Sequence, residues 1–307
     1  MKKIISLILA LALCLGACIS LTSCGGADYT IGICQLMKHD ALDNATQGFI
    51  DAVTAEMEKA GKTVEFDVQV PGESNLCSTV IGAFTAKGVD LIMANATPAL
   101  AAAANATAAI PILGTSVTDY NDTFKNGIPE NVSGTSDAVP FAEQAQMMID
   151  TLGLVEGDKV AVLYCTNESN SAYQYEQVKA YFESKGIEAV KYTFSETTEI
   201  QSVTTAAADS CKAIYVPSDN TVANNDTVVG TICEEKNVPV YTSYPSTIAY
   251  ASLAIDYYDL GYETGLMAAE ILLNGKSCSD IAVKTITPAT DYNKAICDKL
   301  GIAVPEN

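Results

Sequence analysis

The sequence contains no arginine and no tryptophan, and it has a single histidine, His39. Without arginine, no guanidinium can clamp a carboxylate or a phosphate through two parallel hydrogen bonds, so an anionic group must be held by lysine, hydroxyls or backbone N–H groups. Without tryptophan, a ligand ring or cation can stack only on tyrosine or phenylalanine. One histidine is too few for the usual zinc sites, and no metal site is predicted.

The sequence motifs of common enzymes are also missing. The chain has no P-loop, no Gly-x-Ser-x-Gly elbow, no His-Glu-x-x-His and no Gly-x-Gly-x-x-Gly, so we predict that it is not an enzyme and binds no cofactor. The formal net charge of −20 at pH 7 repels nucleic acid, which we exclude as a partner. An extracellular hydrolase of the carboxylate-only glycosidase type remains compatible with this composition.

The N-terminus has the pattern of an export signal. Ile4–Leu13 is an apolar run of signal-core length, whereas a membrane span needs about 20 residues. The following Leu21-Thr22-Ser23-Cys24 resembles the bacterial lipobox, whose cysteine becomes the lipidated first residue. We therefore predict a lipoprotein signal peptide over residues 1–23, lipid attachment at Cys24 and a tether over residues 24–28. Attachment at Cys18, or an ordinary secretory signal without lipid, are the alternatives; in every case the protein acts outside the cytoplasm.

Beyond residue 28, short β-branched runs alternate with longer amphipathic ones, which is typical of βα units around a mainly parallel sheet. The pattern restarts near residues 131–140. The predicted fold class is therefore α/β, with two doubly wound, Rossmann-like lobes joined by a hinge. We assign residues 29–136 and 252–280 to lobe 1, and residues 137–251 and 281–307 to lobe 2.

Polar side chains cluster in the loops that follow the predicted strands, where ligands bind in sheets of this kind. The candidate ligand-binding residues are His39, Asp43, Thr97, Pro98, Thr115, Ser116, Asp119, Glu168, Asn170, Ser171, Asp219, Asn220, Tyr244 and Asp256. Together they suit a small zwitterion, with backbone N–H groups for its carboxylate and Glu168, Asp219 or Asp256 for its ammonium. Helix capping is the alternative interpretation for each Ser, Thr, Asn or Asp among them.

Several of these loops resemble those of a known family, the tryptophan/tyrosine-type ABC transporter substrate-binding lipoproteins. The segments that carry the resemblance include Ile31-Gly32-Ile33-Cys34-Gln35, His39-Asp40-Ala41-Leu42-Asp43, Ser133-Gly134-Thr135-Ser136-Asp137, Tyr215-Val216-Pro217-Ser218-Asp219-Asn220-Thr221 and Ile255-Asp256-Tyr257-Tyr258-Asp259-Leu260-Gly261. The family commonly has proline where this chain has Asp40 and Tyr120. Those two departures alter binding loops and bear on the identity of the ligand more than on the fold.

The resemblance implies the type I periplasmic-binding-protein fold and a cleft that closes on a solute by hinge motion. It also implies an aromatic amino acid as ligand, an ABC permease and its ATPase as partners, and a lipid anchor in the membrane. Tyr120, Tyr173 and Tyr244 lie near the binding loops and are candidates for stacking on the ligand. A sugar or nucleoside ligand is the main alternative, followed by a hydrolase or a sensor that presents its ligand to a receptor.

Overall fold

The computed structural model of the protein describes residues 26–305. The predicted signal peptide and the lipid-attachment residue Cys24 lie outside this range. Between residues 26 and 305, no helix combines the length and the apolar character needed to cross a bilayer.

Lobe 1 is built on a six-stranded sheet in the order β11-β5-β4-β3-β1-β2, and all of its pairings are parallel. Its strands are β1 (Tyr29–Gln35), β2 (Val64–Gln69), β3 (Leu91–Asn95), β4 (Ile112–Val117), β5 (Val132–Ser136) and β11 (Lys284–Thr285). The first four helices are α1 (Asp40–Lys59), α2 (Cys77–Lys87), α3 (Thr97–Ala106) and α4 (Tyr120–Thr123). Two apolar clusters, one on each face, cover the sheet, so β3 and β4 are buried along their whole length.

Lobe 2 repeats this plan with a second six-stranded sheet in the order β12-β10-β9-β8-β6-β7. Its strands are β6 (Lys159–Cys165), β7 (Glu188–Phe194), β8 (Ala213–Val216), β9 (Val240–Thr242), β10 (Ala251–Ala254) and β12 (Ala289–Tyr292). The remaining helices are α5 (Phe141–Leu152), α6 (Ser169–Ser184), α7 (Ile200–Ser210), α8 (Asn220–Ala223), α9 (Asp226–Lys236), α10 (Tyr257–Asn274) and α11 (Lys294–Leu300). Only β12 runs antiparallel to its neighbour. The predicted α/β class with two lobes is confirmed.

The chain crosses between the sheets three times, and two crossings differ from the predicted segments. Strand β10 pairs with β9 in lobe 2, although residues 252–255 were expected in lobe 1. Strand β11 pairs with β5 in lobe 1, although residues 281–307 were expected in lobe 2. The crossings therefore fall at residues 137–140, 255–256 and 286–288. Strands of two to four residues such as β11 and β10 carry no local signal for the sheet they join, because either sheet offers them the same pairing.

Helices α1 and α10 pack against each other in lobe 1 at the positions of three glycines. A Cβ placed on Gly261 would overlap the carbonyl group of Ala45, and one on Gly48 would overlap the carbonyl oxygen of Tyr258. A Cβ on Gly265 would lie 2.6 Å from the Cβ of Ala52. The two helices therefore approach backbone to backbone. This contact fixes where α10 begins, directly after the second crossing.

Candidate functional site

A small cavity lies between the lobes, at the carboxyl ends of strands from both sheets. Its walls are formed by His39, Ala41, Ser116, Asp137, Ser218, Asp219, Asn220, Ala223, Tyr244 and Tyr257. The cavity is small: the volume open to the centre of a water-sized sphere is only about 10 Å³. That is roughly the room of one water molecule, and an ammonium group is of similar size. We call this space the deep cavity.

Two larger polar grooves flank the deep cavity. The first, about 660 Å³, shares His39, Ala41, Ala223 and Tyr244 with the cavity and extends to Lys38, Asp226 and Asp291. We call it the Tyr244 groove. The second, about 530 Å³, lies between Gly72–Asn75 of lobe 1 and Ser195–Thr197 of lobe 2. The deep cavity is thus continuous in its lining with the Tyr244 groove, through those four shared residues.

A bulge in strand β4 directs Ser116 into the deep cavity. The pairing of β4 with β5 shifts register between Gly114 and Val117, and Ser116 adopts a positive φ of 55°. A β-bulge re-aims a side chain, and a strained non-glycine backbone of this kind concentrates at functional sites. Ser116 is buried, and its Oγ has no hydrogen-bond partner among residues 26–305. The hydroxyl is therefore free to bond to a solute.

Asp137 lines the cavity, and one of its two carboxylate oxygens has no hydrogen-bond partner among residues 26–305. It follows β5 at the first crossing, where its Oδ2 accepts a hydrogen bond from the Tyr257 hydroxyl at 2.9 Å. Its Oδ1 is buried and has no partner in the described chain. Burial raises the pKa of Asp137, and the hydrogen bond from the Tyr257 hydroxyl acts in the opposite direction. A buried carboxylate with one free oxygen is costly unless a cation pairs with it.

The first turn of helix α1 also faces the cavity. His39 occupies the N-cap position in extended conformation, and its side chain makes no cap hydrogen bond to the helix. The first N–H groups of a helix have no intrahelical partner, and those of α1 include that of the cavity residue Ala41. Such groups, with the positive end of the helix dipole, favour a bound carboxylate.

Asp219 and Glu168, two of the predicted ammonium partners, are instead bonded within lobe 2. Asp219 accepts hydrogen bonds from the backbone N–H of Val222 and Cys165 and from the Ser171 hydroxyl, all at 2.8 Å. Burial, and secondly the neighbouring Glu168 carboxylate, raises the pKa of Asp219 well above its usual range. Glu168 is 1% exposed and accepts four hydrogen bonds from Asn220 and Thr221. Both groups shape the cleft wall, and their oxygens are already occupied.

We expect Asp219→Asn to destabilise the fold by about 1–3 kcal/mol, because the new amide N–H₂ group would face the buried donors of Cys165 and Ser171. Chemical denaturation of the ligand-free protein measures this cost. The loss should be the same with and without solute. A normal unfolding free energy combined with abolished binding would restore Asp219 as the ammonium partner.

The remaining predicted residues fall into two groups outside the deep cavity. Asp119 and Asp256 cap helices α4 and α10, and Asp43 accepts a hydrogen bond from Gln35 at 2.6 Å. The buried residues Thr97, Thr115, Asn170 and Ser171 and the half-buried Pro98 stand behind the cleft walls or at helix starts. Of the predicted set, the cavity brings together His39, Ser116, Asp219, Asn220 and Tyr244.

Among the three tyrosines considered for stacking, only Tyr244 lines the cavity, and its hydroxyl donates to Asp226 at 2.7 Å. Tyr120 is buried in lobe 1, where its hydroxyl donates to the Thr135 carbonyl. Tyr173 packs edge-on against Phe141, and burial with the nearby Asp119 raises its pKa to about 12. Sequence reasoning missed Asp137, which directly follows β5, and Tyr257, which begins α10 three residues after the end of β10, although both belong to segments that carry the family resemblance.

Comparison with known proteins agrees with this geometry. Residues 30–307 match the family described as ABC transporter substrate binding protein. The tyrosine-binding protein of Clostridioides difficile (strain R20291) is 33% identical over 266 residues, which cover 83% of this chain and 76% of that protein. This chain therefore belongs to the ABC transporter substrate-binding protein family. The family is one of binding proteins, and the two lobes with a shared cleft are its type I periplasmic-binding fold.

Two solved structures bear on the conformation. A Streptococcus pneumonia protein in complex with L-Trp is 30% identical and superposes with a TM-score of 0.81, over 90% of this chain and 96% of that one. A ligand-free, open substrate-binding protein with adhesive properties from Clostridium difficile is 33% identical, yet its TM-score is 0.67, over 91% of this chain and 97% of that one. This structure as a whole therefore superposes better on the liganded relative than on the open one.

Proposed function

We propose that this protein captures an aromatic L-amino acid in the interlobe cleft. The observation that carries this proposal is the free Oδ1 of Asp137 in a cavity of ammonium size. None of the ten residues around that cavity is a lysine, so the protein itself supplies no ammonium for Asp137 there. The α-ammonium of the ligand provides the missing cation, and Ser116 Oγ provides a further hydrogen bond.

The neighbouring surfaces support positions for the remaining groups of the ligand. Its α-carboxylate lies at the first turn of α1, where backbone N–H groups hold it in place of the guanidinium that this chain lacks. Its side chain extends into the Tyr244 groove, between the rings of His39 and Tyr244. The L-Trp complex and the tyrosine-binding relative support an aromatic side chain. Sugar-binding proteins of the same fold are 16% identical or less and support the fold alone.

The captured amino acid is delivered to an ABC permease driven by its ATPase. Delivery requires that the closed state binds the ligand much more tightly than the open state does, because only that difference shifts the lobes toward closure. The pattern Leu21-Thr22-Ser23-Cys24 supports an extracytoplasmic lipoprotein anchored in the bacterial membrane through Cys24.

A thermal-shift screen tests the ligand class. We expect L-Trp or L-Tyr at about 100 times its Kd to add about 2.7 kcal/mol of stability, a rise of several degrees in Tm. The N-acetyl derivative of the same amino acid is the matched control: it keeps the ring and the carboxylate but lacks the cation for Asp137, and should give no shift. Stabilisation by sugars or nucleosides, with none from amino acids, would contradict the proposal.

A further inference from the structure

A direct hydrogen bond joins the two lobes across the cleft. His39 precedes helix α1 in lobe 1, and Asn220 begins helix α8 in lobe 2; the His39 Nε2 and Asn220 Oδ1 atoms lie 3.1 Å apart. Asn220 is 8% exposed, and both residues line the deep cavity and so enclose its contents. This contact exists only while the lobes are together, because its two atoms belong to different lobes.

The orientation of the Asn220 amide is determined by Glu168. The backbone N and the Nδ2 of Asn220 both donate to Glu168 Oε2, at 3.0 and 2.6 Å. The N and Oγ1 of Thr221 donate to the other oxygen, Oε1, at 2.8 and 2.7 Å. Since this carboxylate only accepts, Nδ2 must face Glu168 and Oδ1 must face His39.

The orientation of the Asn220 amide also determines the tautomer of His39. An amide oxygen accepts only, so His39 must carry its hydrogen on Nε2 and donate it across the cleft. We propose that Glu168, Asn220 and His39 form an interlobe latch that holds the cleft closed over its solute, with Glu168 as a positioning residue that never touches the ligand. The proposal concerns the regulation of the proposed binding site and rests on that function.

Burial of the latch histidine makes closure sensitive to pH. Burial lowers the pKa of His39 below its ordinary value in the closed state, although the hydrogen bond to Asn220 and then the carboxylates of Glu168, Asp43 and Asp40 act in the opposite direction. Other charged groups share its surroundings: Asp137 and Asp219 line the cavity, and Lys38, Asp226 and Asp291 line the adjoining groove. When the lobes separate, His39 is less buried and its pKa returns toward the ordinary value. Closure therefore releases the proton of any molecule whose His39 is charged in the open state. Solute affinity is therefore highest above the ordinary pKa of 6.5 and falls as the pH falls toward the closed-state value.

NMR tests the latch directly, because His39 is the only histidine in the chain and gives a single set of imidazole signals. With ¹⁵N-labelled histidine we expect the Nε2–H tautomer, and a lower pKa for His39 when the protein is saturated with L-Trp or L-Tyr than when it is ligand-free. An Nδ1–H tautomer, or a pKa that rises or stays constant on binding, would overturn the proposal.

Variants separate the latch from simple structural support. In His39→Gln the amide nitrogen replaces the Nε2–H donor without a titrating ring, whereas His39→Ala removes the donor. Between pH 8.0 and pH 5.5 we expect the Kd of the wild type to rise by at least about threefold more than the Kd of His39→Gln. Titration of carboxyl groups such as Asp137 affects both proteins, so the difference between them is due to His39. His39→Ala should bind more weakly than His39→Gln at pH 8.0. Identical pH profiles for wild type and His39→Gln would refute the pH dependence, and equal Kd values for His39→Gln and His39→Ala at pH 8.0 would refute the latch.

Glu168→Gln tests the positioning role. Its amide puts a donor against those of Asn220 and Thr221, so Asn220 loses its fixed orientation and we expect the ¹⁵N signals of His39 in the liganded variant to lose their preference for the Nε2–H tautomer. If the Nε2–H tautomer persists unchanged, Glu168 does not act through His39. If no amino acid binds the wild type at pH 8.0, the proposed function fails; if one binds and the liganded wild type shows the Nδ1–H tautomer, the latch alone fails.

Discussion

Asp137→Asn is expected to lose at least about 30-fold in affinity for the amino acid. The substitution keeps the size of the side chain and the acceptor for the Tyr257 hydroxyl, which bonds at 2.9 Å in the wild type. It removes the negative charge opposite the ligand ammonium, and truncation of one partner of a buried, hydrogen-bonded charge pair costs about 2–5 kcal/mol. Isothermal titration calorimetry with L-Trp and L-Tyr measures the loss.

The same substitution should leave the ligand-free fold as stable as before, or more stable. Burial raises the pKa of Asp137 in the folded state, which means that its ionised form weakens the fold at pH values above the ordinary carboxyl range. A neutral amide at this position removes that penalty. A higher or unchanged Tm without ligand, together with a lost ligand response, is a combination that general damage to the fold does not produce.

Asp150→Asn is the matched control. Asp150 is an exposed carboxylate on α5, and its Oδ1 accepts a hydrogen bond from Gln146 Nε2 at 2.7 Å. It changes the net charge by the same amount at a site away from the cleft, and we expect wild-type affinity. Should Asp137→Asn bind like this control, the ammonium of the ligand is not held at the first crossing, and the assignment of the deep cavity is wrong.

Much of the fold is predictable from the sequence because two periodicities dominate it. The helix Phe141–Leu152 and the strands Ala213–Val216 and Val240–Thr242 have the bounds that their patterns predict. Helices α2 and α7 have no counterpart in the prediction. They contain β-branched residues and, in α2, Gly82, whose intrinsic helix propensity is low, so tertiary packing determines their conformation.

Five of the predicted loop residues line the deep cavity, but the hydrogen bonding of the individual acids in these loops could not be predicted. Glu168, Asp219 and Asp137 all follow a strand, and local sequence does not distinguish them. The difference arises from distant donors: Ser171 and Cys165 reach Asp219, and Thr221 reaches Glu168, while one oxygen of Asp137 receives none. The bulge that turns Ser116 inward is likewise a property of the pairing between two strands.

The largest stability loss is expected from Gly261→Ala in helix α10. Alanine is normally the better helix former by about 1 kcal/mol, yet here its methyl group would overlap the carbonyl group of Ala45 in α1. The two helix backbones must move apart, and we expect a loss of about 3 kcal/mol or more in the free energy of unfolding. Urea denaturation of the ligand-free variant measures it.

Gly82→Ala provides the control within the same lobe. Gly82 lies inside helix α2, is exposed, and an added Cβ meets no atom within 4 Å. We expect this variant to gain up to about 1 kcal/mol from helix propensity alone. Equal effects of the two substitutions would show that the glycine contact does not hold α1 and α10 together.

The glycine contact also bears on binding, because α10 begins at Tyr257. Displacement of α10 from α1 moves the Tyr257 hydroxyl away from Asp137 Oδ2 and the N-terminus of α1 away from the carboxylate position. We therefore expect Gly261→Ala, assayed at a temperature where it remains folded, to bind L-Trp or L-Tyr more weakly than Gly82→Ala does. A destabilised variant with full affinity would show that the helix contact supports the lobe without positioning the site.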